Sequence, residues 1–350
     1  MSNSSSRVLM IVLAGTAVLI FSGCGQAQGT TAGGASSLRV VEKAEGFVVL
    51  EGQQKVLFYR RKAARFAGTV SASPDVFAHR TLDGLLESLD EDARTHYIHP
   101  LYGLDGEVLT EDFPFDHLHH HGIWWAWHQV LIGDKSVGDG WEMTDVAWDV
   151  DSVEIVKAEA DSAVLKAKVF WKSPKWTDGA GRPKPFIEET AVIGVHRSEG
   201  DIRKIDFEIA LLGLAEGVRI GGSDNKKGYG GFSARFRFPK GGLTFTGADG
   251  AVKPKNTAVE AGPWLDFSGD FRADGGAGGV AILCHKSIPG YPRPWILRRR
   301  ESMQNAVFPG REPVTLSTEK PTVLRYRLIV HRGRLQRQQL DRLLAEYNGG

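Results

Sequence analysis

Seven of the eleven histidines fall between His96 and His128, and five of the nine tryptophans between Trp124 and Trp148. In Asp116-His117-Leu118-His119-His120-His121-Gly122 the residues His117, His119 and His121 alternate. Successive side chains of an extended strand face opposite ways, so this spacing predicts those three on one side and His120 on the other. Two imidazoles on one face suit two kinds of chemistry. They make the first half of a site for one divalent metal ion, with Asp116, Glu142 or His285 available as a further ligand. They serve equally as general acid and base, because an imidazole titrates near neutral pH. A structural alternative has them hydrogen-bonding carbonyls around a turn at Gly122. Ionisable side chains this dense are costly to bury without use, which favours function for the cluster as a whole.

Trp124, Trp125, Trp127 and Trp141 can be core residues, but an aromatic face beside polar groups also suits a sugar ring. Trp125 and Trp127 share a face by alternation. Downstream, GGSDNKKGYGGFSARF holds a glycine-rich turn with Lys226, Lys227 and Tyr229. It lacks the spacing of a phosphate loop and follows no βαβ pattern, which argues against nucleotide binding. Its glycines are expected to let the backbone approach a ligand. CHKSIPGYPRPW has three prolines within six residues, a rigid loop able to set His285 and Trp295 at a rim. The expected pocket lies where the 117–128 block meets the 226–231 turn and the 285–295 loop. His117, His119, His120, Tyr229 and His285 are its candidate catalytic residues, with His117 and His119 as the candidate metal ligands. Trp125, Trp127, Glu142, Lys227 and Trp295 are candidates for holding substrate. Glu188 and Glu189 are strand neighbours, so at most one of them faces any site.

These residues need elements to position them. Short alternating apolar runs such as SAVLKAKVFWK, FIEETAVIGVH and PTVLRYRLIVHRG, separated by turn signals, read as strands. Helical spacing recurs twice, at Leu82–Ala93 and at Gly333–Tyr347. The expectation is an all-β fold, a large antiparallel β-sandwich over 38–350 with a short C-terminal helix. At 24% charged and 42% apolar, the 350-residue chain has ordinary globular usage. Its 43 basic and 42 acidic residues leave a formal charge of +1, which gives no electrostatic footprint for nucleic acid.

Arg7 precedes an apolar run from Val8 to Phe21, and Ser22-Gly23-Cys24 follows. The run is short for a spanning helix, and with the small residues after it the segment reads as an export signal. The Cys resembles the lipidation site of a bacterial lipobox. The expectation is a signal at 1–23, lipidation of Cys24, a Gly/Ser-rich tether at 24–37, and a protein held at the cell envelope by its lipid alone. Cys284 would then be the one cysteine left in the folded part, a small buried hydrophobe.

The stretch YIHPLYGLDGEVLTEDFPFDHLHHHGIWW, the later KGYGGFSARF, and the proline-rich loop with His285 before Trp295 carry a family resemblance. Over most of residues 95–332 the chain resembles a large bacterial family labelled methane oxygenase PmoA. By position the resemblance supports His117, His119, His120, Gly122, Trp124, Gly228, Tyr229, Gly230, Gly231, His285 and Trp295. Thr95-His96 and Lys286-Ser287-Ile288-Pro289 depart from the family's usual residues. Such proteins are mostly secreted and accompany sugar-oxidising and polysaccharide-degrading enzymes. The resemblance therefore implies a carbohydrate-active enzyme (hydrolase, lyase or epimerase) with a small-molecule or oligosaccharide ligand, on a fold such as the galactose-mutarotase-like supersandwich. A non-catalytic sugar-binding lipoprotein is the alternative, and a metal-dependent oxygenase follows from the label. A membrane monooxygenase subunit would need several apolar spans of about 20 residues, and none follows the N-terminal run.

Overall fold

A computed structural model of the chain describes residues 37–64, 94–114, 116–300 and 303–349. The expected signal, Cys24, most of the tether, and the helix expected at Leu82–Ala93 lie outside these residues.

The described residues form antiparallel sheets, with strands numbered in chain order. The first sheet runs β1 (Leu38–Lys43), β2 (Gly46–Glu51), β3 (Gln54–Arg60), β4 (Tyr97–Leu101), β5 (Ile123–Ala126), β13 (Gly231–Arg235), β19 (Met303–Val307) and β18 (Trp295–Leu297). The second runs β15 (Gly250–Ala251), β14 (Lys240–Gly247), β16 (Trp264–Asp270), β17 (Ala277–Cys284), β21 (Thr322–Arg332), β11 (Ile202–Gly213), β10 (Ile187–His196), β9 (Ser162–Lys172) and β8 (Ala147–Ala158). A smaller third sheet runs β20 (Val314–Thr315), β12 (Val218–Gly221), β6 (Gln129–Ile132) and β7 (Lys135–Gly138).

Strict alternation explains the second sheet. Along β10 and β11, Ala191, Ile193, Val195, Ile205, Phe207, Ile209 and Leu211 are buried, while the residues between them keep partial exposure. The inner faces of the two large sheets meet there. Trp125 of β5 lies 6.2 Å from Phe207 of β11, and Phe232 of β13 stacks at 4.5 Å on Tyr326 of β21. This is the expected antiparallel sandwich. Trp124, Trp125, Trp127, Trp141, Trp171, Trp264 and Trp295 are all among the fully buried side chains. Each such ring removes roughly 150–250 Å² from water, so aromatics carry much of the core's gross stabilisation.

Among the described residues one helix, α1 (Arg337–Gly349), sets Leu340 and Leu343 against Trp264, Ala281, Leu283 and Ile329 on the outer side of the second sheet. It starts four residues later than its hydrophobic spacing indicates. Gly333, at φ 62°, closes a turn by donating its N–H to the Ala277 carbonyl at 2.8 Å.

Candidate functional site

Strand register decides which side chains leave the sandwich. Trp125 pairs with Phe232, and Phe232 with Ala306; the next row is Trp124, Ser233 and Asn305, and Arg235 pairs with Met303. Directly opposed residues share a face. Trp125 and Phe232 face the second sheet, so Trp124, Ser233, Asn305, Arg235 and Met303 lie on the outer face of the first. Over that face lie His120, 5.3 Å from the Trp124 ring, and Trp141 of the 139–144 turn, 5.6 Å from it. The pairing of Gly221 with Gln129 starts the glycine-rich turn beside His128.

The histidine block is a turn. His117 N–H donates to the Pro114 carbonyl and His120 N–H to the His117 carbonyl, each at 2.9 Å, and β5 begins only at Ile123. The turn gathers what a strand would have separated. His117 and His120 stack at 4.6 Å with their planes 2° apart, and His119 stands edge-on to both at 5.6 and 4.6 Å. With Trp141, Glu142, Lys227, Tyr229, Arg298 and Met303 these rings line a cleft of about 140 Å³.

Two charges fix the proton positions of the stacked pair. Arg235 is buried and donates through Nη1 to His120 Nδ1 at 3.2 Å, through Nη2 to Asp116 Oδ1 at 2.7 Å, and through Nε to Glu111 Oε2 at 3.1 Å. A guanidinium only donates, so His120 Nδ1 must accept and its ring hydrogen sits on Nε2. Burial, helped by His119, His117 and Arg235, holds the His120 imidazole well below its usual range and keeps it neutral. On the other side, Asp116 Oδ2 lies 2.9 Å from His117 Nδ1. Burial raises the Asp116 carboxyl, but His117 and Arg235 outweigh it and bring it to about 2. An ionised carboxylate accepts, so a neutral His117 donates from Nδ1 and carries its lone pair on Nε2. The stacked rings are thus held in opposite tautomers. His119 Nδ1 lies 3.2 Å from Glu142 Oε2. Tyr229 is pushed up by burial and by Glu142, against a smaller pull from Arg298, so its hydroxyl keeps its proton.

The sequence profile of a family of unknown function, DUF6807, matches residues 83–345. The chain belongs to this family. No curated protein matches the chain. Among solved structures, YeaD of Salmonella typhimurium, a proposed mutarotase, aligns over 85% of this chain and 94% of its own, at 10% identity and a TM-score of 0.35. DUF6807 carries no activity in its description, and the methane-oxygenase label finds no support there.

In this DUF6807 protein the cleft brings together His117, His119, His120, Glu142, Lys227 and Tyr229 from the expected set. It does not bring in the others. His285 lies beyond β17 on the second sheet, with Nδ1 2.8 Å from Ser287 Oγ and its ring 5.0 Å from that of Tyr347 in α1. Trp125, Trp127 and Trp295 cannot offer a ring to a ligand, because they are at most 1% exposed. Their indole N–H groups are spent inside, on Glu189, the Phe308 carbonyl and the Gly262 carbonyl. The strand expectation for 117–121 is corrected too: His121 is fully buried on Asp112, at 2.7 Å. The turn glycines serve the chain itself. A Cβ on Gly222 would meet the Gly228 carbonyl oxygen at 2.2 Å, and Gly228 has φ 60°. Cys284 is buried, its thiol pushed up to about 12 by burial, and inert.

Of the further ligands expected for a metal, Glu142 lies against His119 and Asp116 against His117, while His285 is elsewhere. His120 has its Nδ1 lone pair engaged and a hydrogen on Nε2, so it has no lone pair for an ion. Among the described residues no group of three or more His, Cys, Asp or Glu could hold a metal. Sequence reasoning missed Arg298 and Arg235. Arg298 opens an Arg-Arg-Arg run that looks like a solvated loop, and its place follows only from the pairing of β18 with β19. Arg235 ends an ordinary strand pattern, and nothing in its spacing marks it.

Of the two adjacent glutamates, Glu188 pairs with Lys168 at the surface, at 3.2 Å. Glu189 is fully buried, 2.7 Å from His96 Nε2, and accepts from Trp171 Nε1 at 2.8 Å and from Trp125 Nε1. Burial raises its carboxyl, but His96 and the indoles together hold it below the usual carboxylate range. The Tyr59 hydroxyl closes the cluster on His96 Nδ1 at 2.7 Å.

Proposed function

We propose that the cleft binds one small polyhydroxylated molecule, of the size of a single sugar ring, and moves protons on it. The reading rests on the opposite tautomers of the stacked pair. His117 Nε2, with Asp116 behind it, is a general base, and His120 Nε2–H is a hydrogen donor that stays neutral. His119, Glu142 and Tyr229 add donors and acceptors suited to hydroxyl groups. At about 140 Å³ the space is well below the roughly 300–1,000 Å³ of drug-sized sites, which favours a monosaccharide over an oligosaccharide. The class of reaction is proton transfer at a sugar carbon or oxygen, as in an isomerase, epimerase or lyase.

The full-length protein and His117→Gln, each incubated with a panel of monosaccharides in D₂O and followed by proton NMR, test this. The expected result is isotope exchange or a new product with the wild type, and turnover lowered by about 10²–10⁴-fold in the variant with folding intact. Turnover unaffected by His117→Gln would sink the assignment. Binding without any turnover would favour the non-catalytic sugar-binding alternative.

We further propose that the protein works outside the cytoplasm, anchored by lipid on Cys24, on the strength of the Val8–Phe21 run and the Gly/Ser tether. Cys24→Ser should then move the protein from the membrane fraction to uncleaved precursor or soluble protein. A wild type that carries no lipid label, partitioning as the variant does, would reject the anchor.

A further inference from the structure

The cleft carries two cations that its proton chemistry does not use. Lys227 comes from the glycine-rich turn and Arg298 from the connection between β18 and β19; both line the same space as His117, His119 and Tyr229. Among the described residues neither is in an ion pair. Arg298 Nη1 is engaged by the carbonyls of Leu297 at 3.0 Å and Lys255 at 3.2 Å, which leaves Nε and Nη2 with no protein acceptor among the described residues. Arg235, the other guanidinium nearby, is neutralised by Glu111 and Asp116.

We propose that the ligand of this cleft is a sugar acid, a monosaccharide bearing one carboxylate, and that Arg298 and Lys227 hold that carboxylate. The inference rests on the reading above and narrows its substrate class. Charge sets the sign of the ligand and limits its valence. The lining holds Lys227 and Arg298 against Glu142, and Asp116, shared with Arg235, stands behind His117. One carboxylate answers the two cations. A phosphate monoester, at about −1.5 to −2 near pH 7, sets more negative charge beside Glu142 and Asp116. A neutral sugar would leave two cations in a narrow cleft with no counter-charge beyond Glu142. The open edge of a guanidinium matches a carboxylate in two parallel hydrogen bonds, and Lys227 adds a point charge. With the carboxylate held at that side, the ring's hydroxyls and its acidic C–H beside the carboxylate come within the reach of the imidazoles. Arg298 and Lys227 neutralise the carboxylate and so make the C–H beside it more acidic; His117 Nε2 would take that proton while the charge that develops on the carboxylate stays on the two cations.

Isothermal titration of the full-length protein compares glucuronate and galacturonate with glucose and galactose, and with inorganic phosphate, in low-salt buffer at pH 7. The uronates should bind at least about 10-fold more tightly than their neutral counterparts, since hydrogen bonds to charged groups are the stronger class. Raising the salt should weaken the uronates more than the neutral sugars. Arg298→Gln should reduce the uronate-to-neutral affinity ratio by about 10-fold or more, and Arg298→Lys should recover part of it. Far-UV circular dichroism confirms that each variant is folded. Equal affinity for neutral and acidic sugars, or a ratio unmoved in Arg298→Gln, overturns the proposal. Phosphate binding more tightly than any uronate overturns it in favour of a phosphorylated ligand. Neutral sugars that bind and turn over leave the proton-transfer reading standing while this one falls. Uronate binding without exchange does the reverse.

Discussion

Two clusters in this molecule are built from the same parts. The outer one has His117, His119 and His120 with Asp116, Glu142 and Trp141; the inner one has His96 with Glu189, Tyr59, Trp125 and Trp171. Their difference is access and redundancy. In the inner cluster the His96 and Glu189 side chains are 0% exposed, both His96 nitrogens are engaged, and both Glu189 oxygens accept hydrogen bonds. Nothing is left over for a ligand, so its work is to join β3, the start of β4, β5, β9 and β10 across the sandwich. In the outer cluster the His117 side chain is 38% exposed, and the carboxylate at Nδ1 leaves Nε2 for chemistry. A histidine beside a carboxylate is therefore a structural brace or a reactive pair according to whether one nitrogen remains for a ligand.

The largest expected effect separates the two by stability. Glu189→Gln removes a fully buried carboxylate from the network it forms with His96 and the two indoles and should cost about 3–5 kcal/mol. Glu142→Gln touches a carboxylate whose side chain is 41% exposed and should cost less than about 1 kcal/mol. Urea denaturation of both variants beside the wild type measures this. Similar losses for the two would erase the distinction between brace and site.

The sequence makes part of this difference visible. Alternation in FIEETAVIGVH places Glu188 and Glu189 on opposite faces, and the structure agrees. The same alternation sets Glu189 in line with Ile187, Ala191, Ile193 and Val195 on the buried face; what it cannot show is the partners that make a buried carboxylate tolerable, because His96 and Trp125 are distant in sequence. The histidine block is legible as a cluster but not as a shape. Period-two spacing suggests a strand, whereas Pro114 and the turn hydrogen bonds around His117 and His120 win locally. That is why His120 belongs to the cleft despite its alternation. Trp125, Trp127 and Trp295 fail as ligand platforms for a physical reason: large aromatics gain more from complete burial than from a partial face. His285 fails because the loop after β17 runs with the second sheet. Neither sheet membership nor strand register is written in local spacing.

A sharper test titrates the outer cluster. The His120 imidazole is held below its usual range chiefly by burial, so the unfolded chain takes up a proton near pH 6.5 that the folded one refuses. Stability must then fall as pH drops below about 6.5, by up to about 1.4 kcal/mol per pH unit from this residue. His99, brought to about 4 mainly by burial, pulls the same way, so the wild type alone does not isolate the effect. The difference between wild type and His120→Gln does: their unfolding free energies should converge or cross between about pH 7.5 and 5. Nitrogen-15 NMR should show one neutral Nε2–H imidazole across that range. A His120 ring that protonates above about pH 6.5 would release the tautomer on which the proposed chemistry rests.

The smallest expected effect concerns Asp116, which ties the two stacked rings together through His117 and Arg235. Its folded carboxyl sits at about 2, below the usual carboxylate value, so its contribution is fully present above about pH 4 and is lost as pH falls through about 2. The shift alone would suggest over about 2 kcal/mol, but the side chain is 36% exposed and solvent screening reduces this to about 1 kcal/mol. Asp116→Asn should therefore be about 1 kcal/mol less stable than wild type at pH 7 and nearly equal to it near pH 2. Activity should respond more than stability, because the amide of that variant could accept from Arg235 but would no longer charge-stabilise a protonated His117. If Asp116 were only a brace, like Glu189, stability would drop by several kcal/mol and any change in turnover would follow unfolding alone. A modest stability loss at neutral pH together with a large loss of turnover is what places Asp116 with the reactive cluster.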